Sequence, residues 1–117
     1  MMLFVCYPAC GTCKKAEKHL KEMNVEYTVR NIREEKPTKE ELKEWIAKSD
    51  REIRKWFNTS GQAYRNGNVK EKLAVMNEEE ILNLLASDGM LVKRPVLIDG
   101  TKVLVGYKKE EYDLVKK

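Results

Sequence analysis

Long apolar runs are what this 117-residue sequence most plainly lacks. None approaches the roughly 18 residues that a membrane-spanning helix needs. The apolar stretch from Met2 to Tyr7 is too short for a signal-peptide core and has no basic leader, so a cytoplasmic protein with no membrane partner is expected. Cysteine is scarce and odd in number: Cys6, Cys10 and Cys13 are the only three, which argues against a structural disulfide framework. No strong charge excess exists either, since 23 Lys and Arg stand against 19 Asp and Glu for a net +4. The two signs are interleaved, and pairs such as Lys108-Lys109 and Lys116-Lys117 read as solvated faces, so direct nucleic-acid binding is not expected. Repeats, low-complexity tracts and linkers are absent. With 36% charged and 42% hydrophobic residues the chain is neither disordered nor collagenous. Being shorter than the roughly 150 residues typical of a domain, it is expected to form one domain over 1–117.

What is there reads as an α/β domain. Met2-Leu-Phe-Val-Cys-Tyr7 is continuously apolar, the pattern of a strand buried on both faces. A helix follows from near Cys10 to about Met23, then a strand from Glu26 to Ile32, suggesting a right-handed parallel βαβ unit. An insertion of about 37–88 is charged and helical. Thr38 with Glu41, Ser49 with Glu52 and Asn77 with Glu80 each pair a polar cap with a carboxylate three residues on, predicting three helix starts. Their apolar faces are Leu42, Trp45 and Ile46; Ile53, Trp56 and Phe57; and Ile81, Leu82, Leu84 and Leu85. A loop carrying Asn58-Thr-Ser-Gly61 and Asn66-Gly67-Asn68 separates the last two. Ser87-Asp88-Gly89 ends the block. Pro95–Ile98 and Lys102–Val105 flank Asp99-Gly100 as an antiparallel hairpin, and Lys108–Lys117 forms an amphipathic helix on Tyr112, Leu114 and Val115. The whole is a mixed four-stranded sheet with a helical insertion between βαβ and ββα halves.

Cys10-Gly11-Thr12-Cys13 carries the chemistry. It lies where a buried strand turns into a helix, whose N-terminal amides favour an anion, so Cys10 is the expected nucleophile. Lys14, one turn on, adds a modest positive charge if its side chain leans back. At about 100° per residue Cys13, Ala16, Leu20 and Met23 share one stripe, turning Cys13 inward. An accessible Cys10 that attacks and a shielded Cys13 that resolves make a dithiol couple. Zinc on Cys6, Cys10, Cys13 and His19 fails on geometry: His19 lies about 180° around the helix from Cys10 and roughly 13 Å along it. Cys6 reads as packing and His19 as a surface residue.

Several separated motifs, Tyr7-Pro-Ala-Cys-Gly-Thr-Cys13, Asn58-Thr-Ser-Gly-Gln-Ala-Tyr-Arg65, Leu85-Ala-Ser-Asp-Gly-Met-Leu-Val-Lys-Arg-Pro95 and Val105-Gly-Tyr107, stand in order along nearly the whole chain. Together they resemble the arsenate-reductase-related family that includes the Spx and MgsR regulators, and most closely its uncharacterised Cys-x-x-Cys members. The resemblance implies a thioredoxin-like fold interrupted by helices, with Arg94 as an anion ligand and Pro95 in the cis form opposite Cys10. It also implies a cytoplasmic thiol oxidoreductase, arsenate reductase-like, with no bound cofactor. Its partners would be a small oxyanion or disulfide substrate and an external thiol donor, glutathione with glutaredoxin or thioredoxin. The alternative is a redox-sensing regulator of the Spx type whose partner is the RNA polymerase alpha subunit. Glutaredoxin-linked arsenate reductases resemble Cys-Gly-Thr-Ser at the active helix and surround one cysteine with three arginines. Here Cys13 takes the fourth motif position, and Asn58 and Gly106 stand where two of the arginines are expected. Losing two charge-assisted hydrogen bonds, worth roughly 1.5 to 3 kcal/mol each, leaves efficient arsenate reduction unexpected unless Lys14 or Arg65 compensates. The sequence leaves open whether Asn58, Tyr64 or Arg65 reaches the cysteine.

Overall fold

The computed structural model describes residues 2–100 and 102–115. Along them run β1 (Met2–Cys6), α1 (Gly11–Glu22), β2 (Tyr27–Asn31), α2 (Lys39–Lys48), a 3-10 turn (Ile53–Trp56), α3 (Gln62–Asn66) and α4 (Val69–Leu73). There follow α5 (Glu78–Ser87), a second 3-10 turn (Gly89–Leu91), β3 (Val96–Asp99), β4 (Lys102–Val105) and α6 (Lys109–Asp113). β1 has apolar side chains in both phases of its two-residue period, and it lies inside a sheet ordered β2-β1-β3-β4. It runs parallel to β2 and antiparallel to β3, and β4 completes the hairpin. The mixed four-stranded sheet is that of a thioredoxin-like fold, with the helical insertion between its halves.

Alternation along the strands sorts the core into two layers. Phe4, Cys6, Leu97 and Leu104 face Cys13, Ala16 and Leu20 of α1 and Tyr112 of α6. Val5, Val96, Val103 and Val105 face the other way, onto Leu42, Trp45, Trp56, Ile81 and Leu85 of the insertion and onto Val92 just after it. Among the described residues no helix is long and apolar enough to cross a membrane.

Two of the three expected capping boxes form, at Thr38/Glu41 and Asn77/Glu80. The third does not. Ser49 closes α2 instead, donating its hydroxyl to the Ile46 carbonyl at 2.9 Å and accepting the buried Trp56 indole N–H at 3.1 Å. A buried indole needs an acceptor, and that demand takes the serine away from the role its spacing suggests. The segment it was expected to start is a 3-10 turn. The stretch between Asn58 and Asn68, expected as loop, contains α3 and leads into α4, whose Val69 and Leu73 are buried four residues apart. Five-residue helices flanked by Asn and Gly carry too little periodicity to stand out in a sequence. The hairpin turn also falls one residue later than expected, because Asp99 is paired with Lys102 and the positive φ belongs to Gly100. Leu114 is exposed while Tyr112 and Val115 are buried, and Lys116-Lys117 lies outside the described residues.

The end of the insertion meets the end of β2 at Gly89, where a Cβ would stand 2.0 Å from the Ile32 carbonyl oxygen. No side chain fits there without moving backbone. Gly89→Ala is expected to lower the unfolding free energy by roughly 2 kcal/mol or more, seen as a lower urea midpoint with unchanged slope. An unchanged midpoint would mean that the two segments do not approach this closely.

Candidate active site

A buried strand followed by a Pro-containing turn sets the start of α1. The Cys10 N–H donates to the Tyr7 carbonyl at 2.9 Å, and Cys10 takes the N-cap position in extended geometry with its side chain uninvolved in capping. Its thiol is half-buried and opens onto a cleft of about 500 Å³. Cys13, on the inward stripe of α1, is only 3% exposed. All three cysteines are free thiols. Thr12 lines the cleft beside Cys10, whereas Gly11 faces open space and does not line it.

The opposite wall comes from the insertion. Phe57 bridges Val92, the Lys93 N–H donates to the Trp56 carbonyl at 2.7 Å, and the Asn58 N–H donates to the Leu91 carbonyl at 2.7 Å. This short ladder carries Asn58 and the Thr59–Gly61 turn to one side of the cleft and Lys93 and Arg94 to another. Arg94 therefore shares the cleft with Cys10. Its Nη1 donates to the carbonyls of Met90 and Val92 at 3.4 and 3.3 Å, and its guanidinium lies 5.5 Å from the centre of the Tyr7 ring. Nε is buried without a partner among the described residues. The Arg94–Pro95 peptide is cis, and the Pro95 carbonyl accepts the Gly106 N–H at 2.8 Å.

Other expected contributors lie elsewhere. Lys14 is exposed on the outer side of α1 with Glu17, Lys18, Lys21 and Glu22, outside the cleft lining. Arg65 is exposed on α3, and Tyr64 packs on Phe57 with ring centres 6.4 Å apart. Asn58 and Gly106 do line the cleft. Sequence reading missed Arg51, Lys93, Tyr107 and Lys108, which also line it. Lys93 sits one residue before a residue that was singled out, but nothing in the spacing distinguished it from any surface lysine.

His19 is not the surface residue expected from its lysine-rich helix. Its side chain is 11% exposed, with Nδ1 2.8 Å from the Tyr107 hydroxyl and Nε2 2.8 Å from Asp113. Both ring nitrogens are thus engaged in tying α1 to the segment after β4. Among the described residues no three His, Cys, Asp or Glu side chains converge to hold a metal.

Cys6 is buried in the core beneath α1, the packing position expected of it. Its thiol and that of Cys13 are hydrogen-bonded, which raises the Cys13 pKa, with burial adding to the rise, and holds that of Cys6 below the usual thiol value. The Tyr7 N–H also reaches Cys13 Sγ at 3.5 Å. Tyr112 from α6 packs in the same cluster, fully buried, and its hydroxyl has no partner among the described residues.

A dithiol at a strand-to-helix turn, with one sulfur open to a cationic cleft and the other in the core, defines the class as a small thioredoxin-like protein with a Cys-x-x-Cys site. The chain belongs to the ArsC family, which it matches over residues 6–115. It is 52% identical over 112 residues to the uncharacterized protein YusI of Bacillus subtilis, spanning 96% of this chain and 95% of that protein. It is 33% identical to the regulatory protein MgsR of the same organism, spanning 91% and 82% of the two chains. Among solved structures it resembles an ArsC family related protein from Bacteroides fragilis at TM-score 0.96 and 50% identity, covering 98% and 97% of the two chains.

Burial pushes the Tyr112 phenol up. The folded state then holds its proton while the unfolded chain ionises, so stability falls as pH rises past the ordinary phenol value near 10. Because an unpaired buried hydroxyl costs roughly 1–3 kcal/mol, Tyr112→Phe is expected to add about 1 kcal/mol of stability at neutral pH. The gain should grow in alkali. Urea midpoints for the two proteins at neutral and alkaline pH check this, and equal midpoints at both would show that the hydroxyl is satisfied.

Proposed function

We propose that this protein is a thiol-disulfide oxidoreductase in which Cys10 is the nucleophile and Cys13 the resolving thiol. The observation that carries the reading is the contrast between a cleft-facing Cys10 and a Cys13 that is 3% exposed, one helical turn apart. The Cys10 thiolate attacks a substrate disulfide, forming a Cys10–substrate disulfide and releasing the other half as a thiolate. Cys13 then attacks Cys10 Sγ. The Cys13–Cys10 bond forms, the Cys10–substrate bond breaks, and the second half of the substrate leaves with the electron pair and takes up the Cys13 proton as a thiol. The protein is left as the Cys10–Cys13 disulfide, which an external dithiol donor reduces. Arg94 stabilises negative charge at the cleft, with Pro95, Gly11 and Thr12 shaping the turn around the sulfur.

Arsenate fits this cleft less well. With Asn58 and Gly106 lining it in place of arginines, a dianionic oxyanion meets two guanidinium groups that are already engaged, Arg51 by Glu111 and Arg94 Nη1 by two carbonyls.

The likeness to MgsR, named a regulatory protein, supports a second reading in which the same dithiol is a sensor. Its output would be contact with RNA polymerase, the partner that the Spx resemblance implies.

Cys10→Ser is expected to abolish thiol exchange, and Cys13→Ser to accumulate a mixed disulfide on Cys10. Purification of Cys13→Ser protein under non-reducing conditions, followed by mass spectrometry, reads this directly. A trapped small thiol or redox protein supports the oxidoreductase. Polymerase subunits copurifying with no trapped thiol support the sensor, and equal exchange by wild type and Cys10→Ser defeats both.

A further inference from the structure

The cleft beside Cys10 is electrically one-sided. Arg51, Lys93, Arg94 and Lys108 line it and, among the described residues, no carboxylate does, although acids and bases are nearly balanced over the whole chain. Two of these cations already have protein partners: Arg51 is ion-paired with Glu111 at 3.2 Å, and Arg94 is held by the Met90 and Val92 carbonyls. The ammonium groups of Lys93 and Lys108 have no polar partner among the described residues.

The course of Lys93 is fixed at both ends. Its backbone N–H is bound by the Trp56 carbonyl, and its side chain passes over Gly106. Gly106 has φ 78°, and a Cβ there would stand 3.0 Å from Lys93 Cε and 3.8 Å from its Nζ. The lysine therefore fills the space in which a side chain at 106 would begin, and it brings its charge into the cleft from the neighbouring strand connection. The hydroxyl-bearing residues Thr12, Thr59 and Ser60 line the same space. A concave surface lined by one sign of charge focuses its field on a ligand of the opposite sign. A lysine, as a flexible point charge, tolerates a carboxylate at varied angles in a way that a planar guanidinium does not.

Resting on the oxidoreductase reading above, we propose that Lys93 and Lys108 make this cleft selective for small disulfides that carry carboxylates. The ammonium groups hold the anionic arm while Cys10 Sγ attacks the adjacent sulfur. The Cys10–sulfur bond forms, the substrate S–S bond breaks, and the departing half leaves as a thiolate with the electron pair.

The test compares rates of Cys10 modification by two disulfides, the dianionic 5,5′-dithiobis(2-nitrobenzoate) and the uncharged 2,2′-dithiodipyridine, at low and high salt. The variants are Lys93→Gln, Lys108→Gln and the charge-retaining Lys93→Arg. The ratio of anionic to neutral rate is expected to fall about tenfold in the Gln variants, the size of one lost charge-assisted contact. It should keep most of its value in Lys93→Arg, and in wild type it should fall as salt screens the cleft. A ratio unchanged by either Gln substitution and insensitive to salt overturns the assignment while leaving the redox chemistry intact. If neither reagent modifies Cys10 in wild type, the oxidoreductase reading fails and this inference with it.

Discussion

Two backbone hydrogen bonds hold the insertion against the sheet at the point where it matters most. The Lys93 N–H to the Trp56 carbonyl and the Asn58 N–H to the Leu91 carbonyl, both at 2.7 Å, join residues just before β3 to the middle of the helical block. Without this strap the sheet and α1 would present Cys10 on an open surface. With it, Asn58, Lys93 and Arg94 face the sulfur across a cleft. The strap depends in turn on Trp56, fully buried with its indole N–H satisfied by Ser49. Packing deep in the insertion thus sets the position of residues at the chemistry.

The second constraint is the buried side of the dithiol. Cys13 sits among Cys6, Ala16, Leu20 and Tyr112, where ionisation is opposed by both its hydrogen bond to Cys6 and loss of solvent. A buried thiol that stays protonated is suited to resolution rather than to first attack. The same cluster is tied to α6 through Tyr112, and α6 to α1 through the His19–Asp113 contact. The C-terminal helix therefore braces the helix that carries both cysteines.

Much of this was legible in the sequence because it rests on short-range rules. The continuous apolar run of β1, the helical phase that turns Cys13 inward and the reciprocal caps at Thr38 and Asn77 are all local patterns that packing had no reason to override. What escaped was decided by contacts distant along the chain. Ser49 matched a capping box but is claimed by a tryptophan seven residues on. His19 looked solvated on its lysine-rich helix but is covered by Tyr107, 88 residues away. Lys93 and Lys108 gained their place in the cleft only from a strand connection and a positive-φ glycine whose partners no spacing rule reveals. Lys14 lies one turn from Cys10 along the sequence, yet helical phase turns it outward.

The central proposal is that the redox couple is Cys10 with Cys13, and that Cys6 stays outside it as a thiol. It is tested most directly by equilibrating the folded protein in a buffer of oxidised and reduced dithiol, alkylating the free thiols and mapping the disulfide by peptide mass spectrometry. The account predicts a single Cys10–Cys13 disulfide, with Cys6 recovered as an alkylated thiol. A disulfide that includes Cys6, or three free thiols under oxidising conditions, would contradict it.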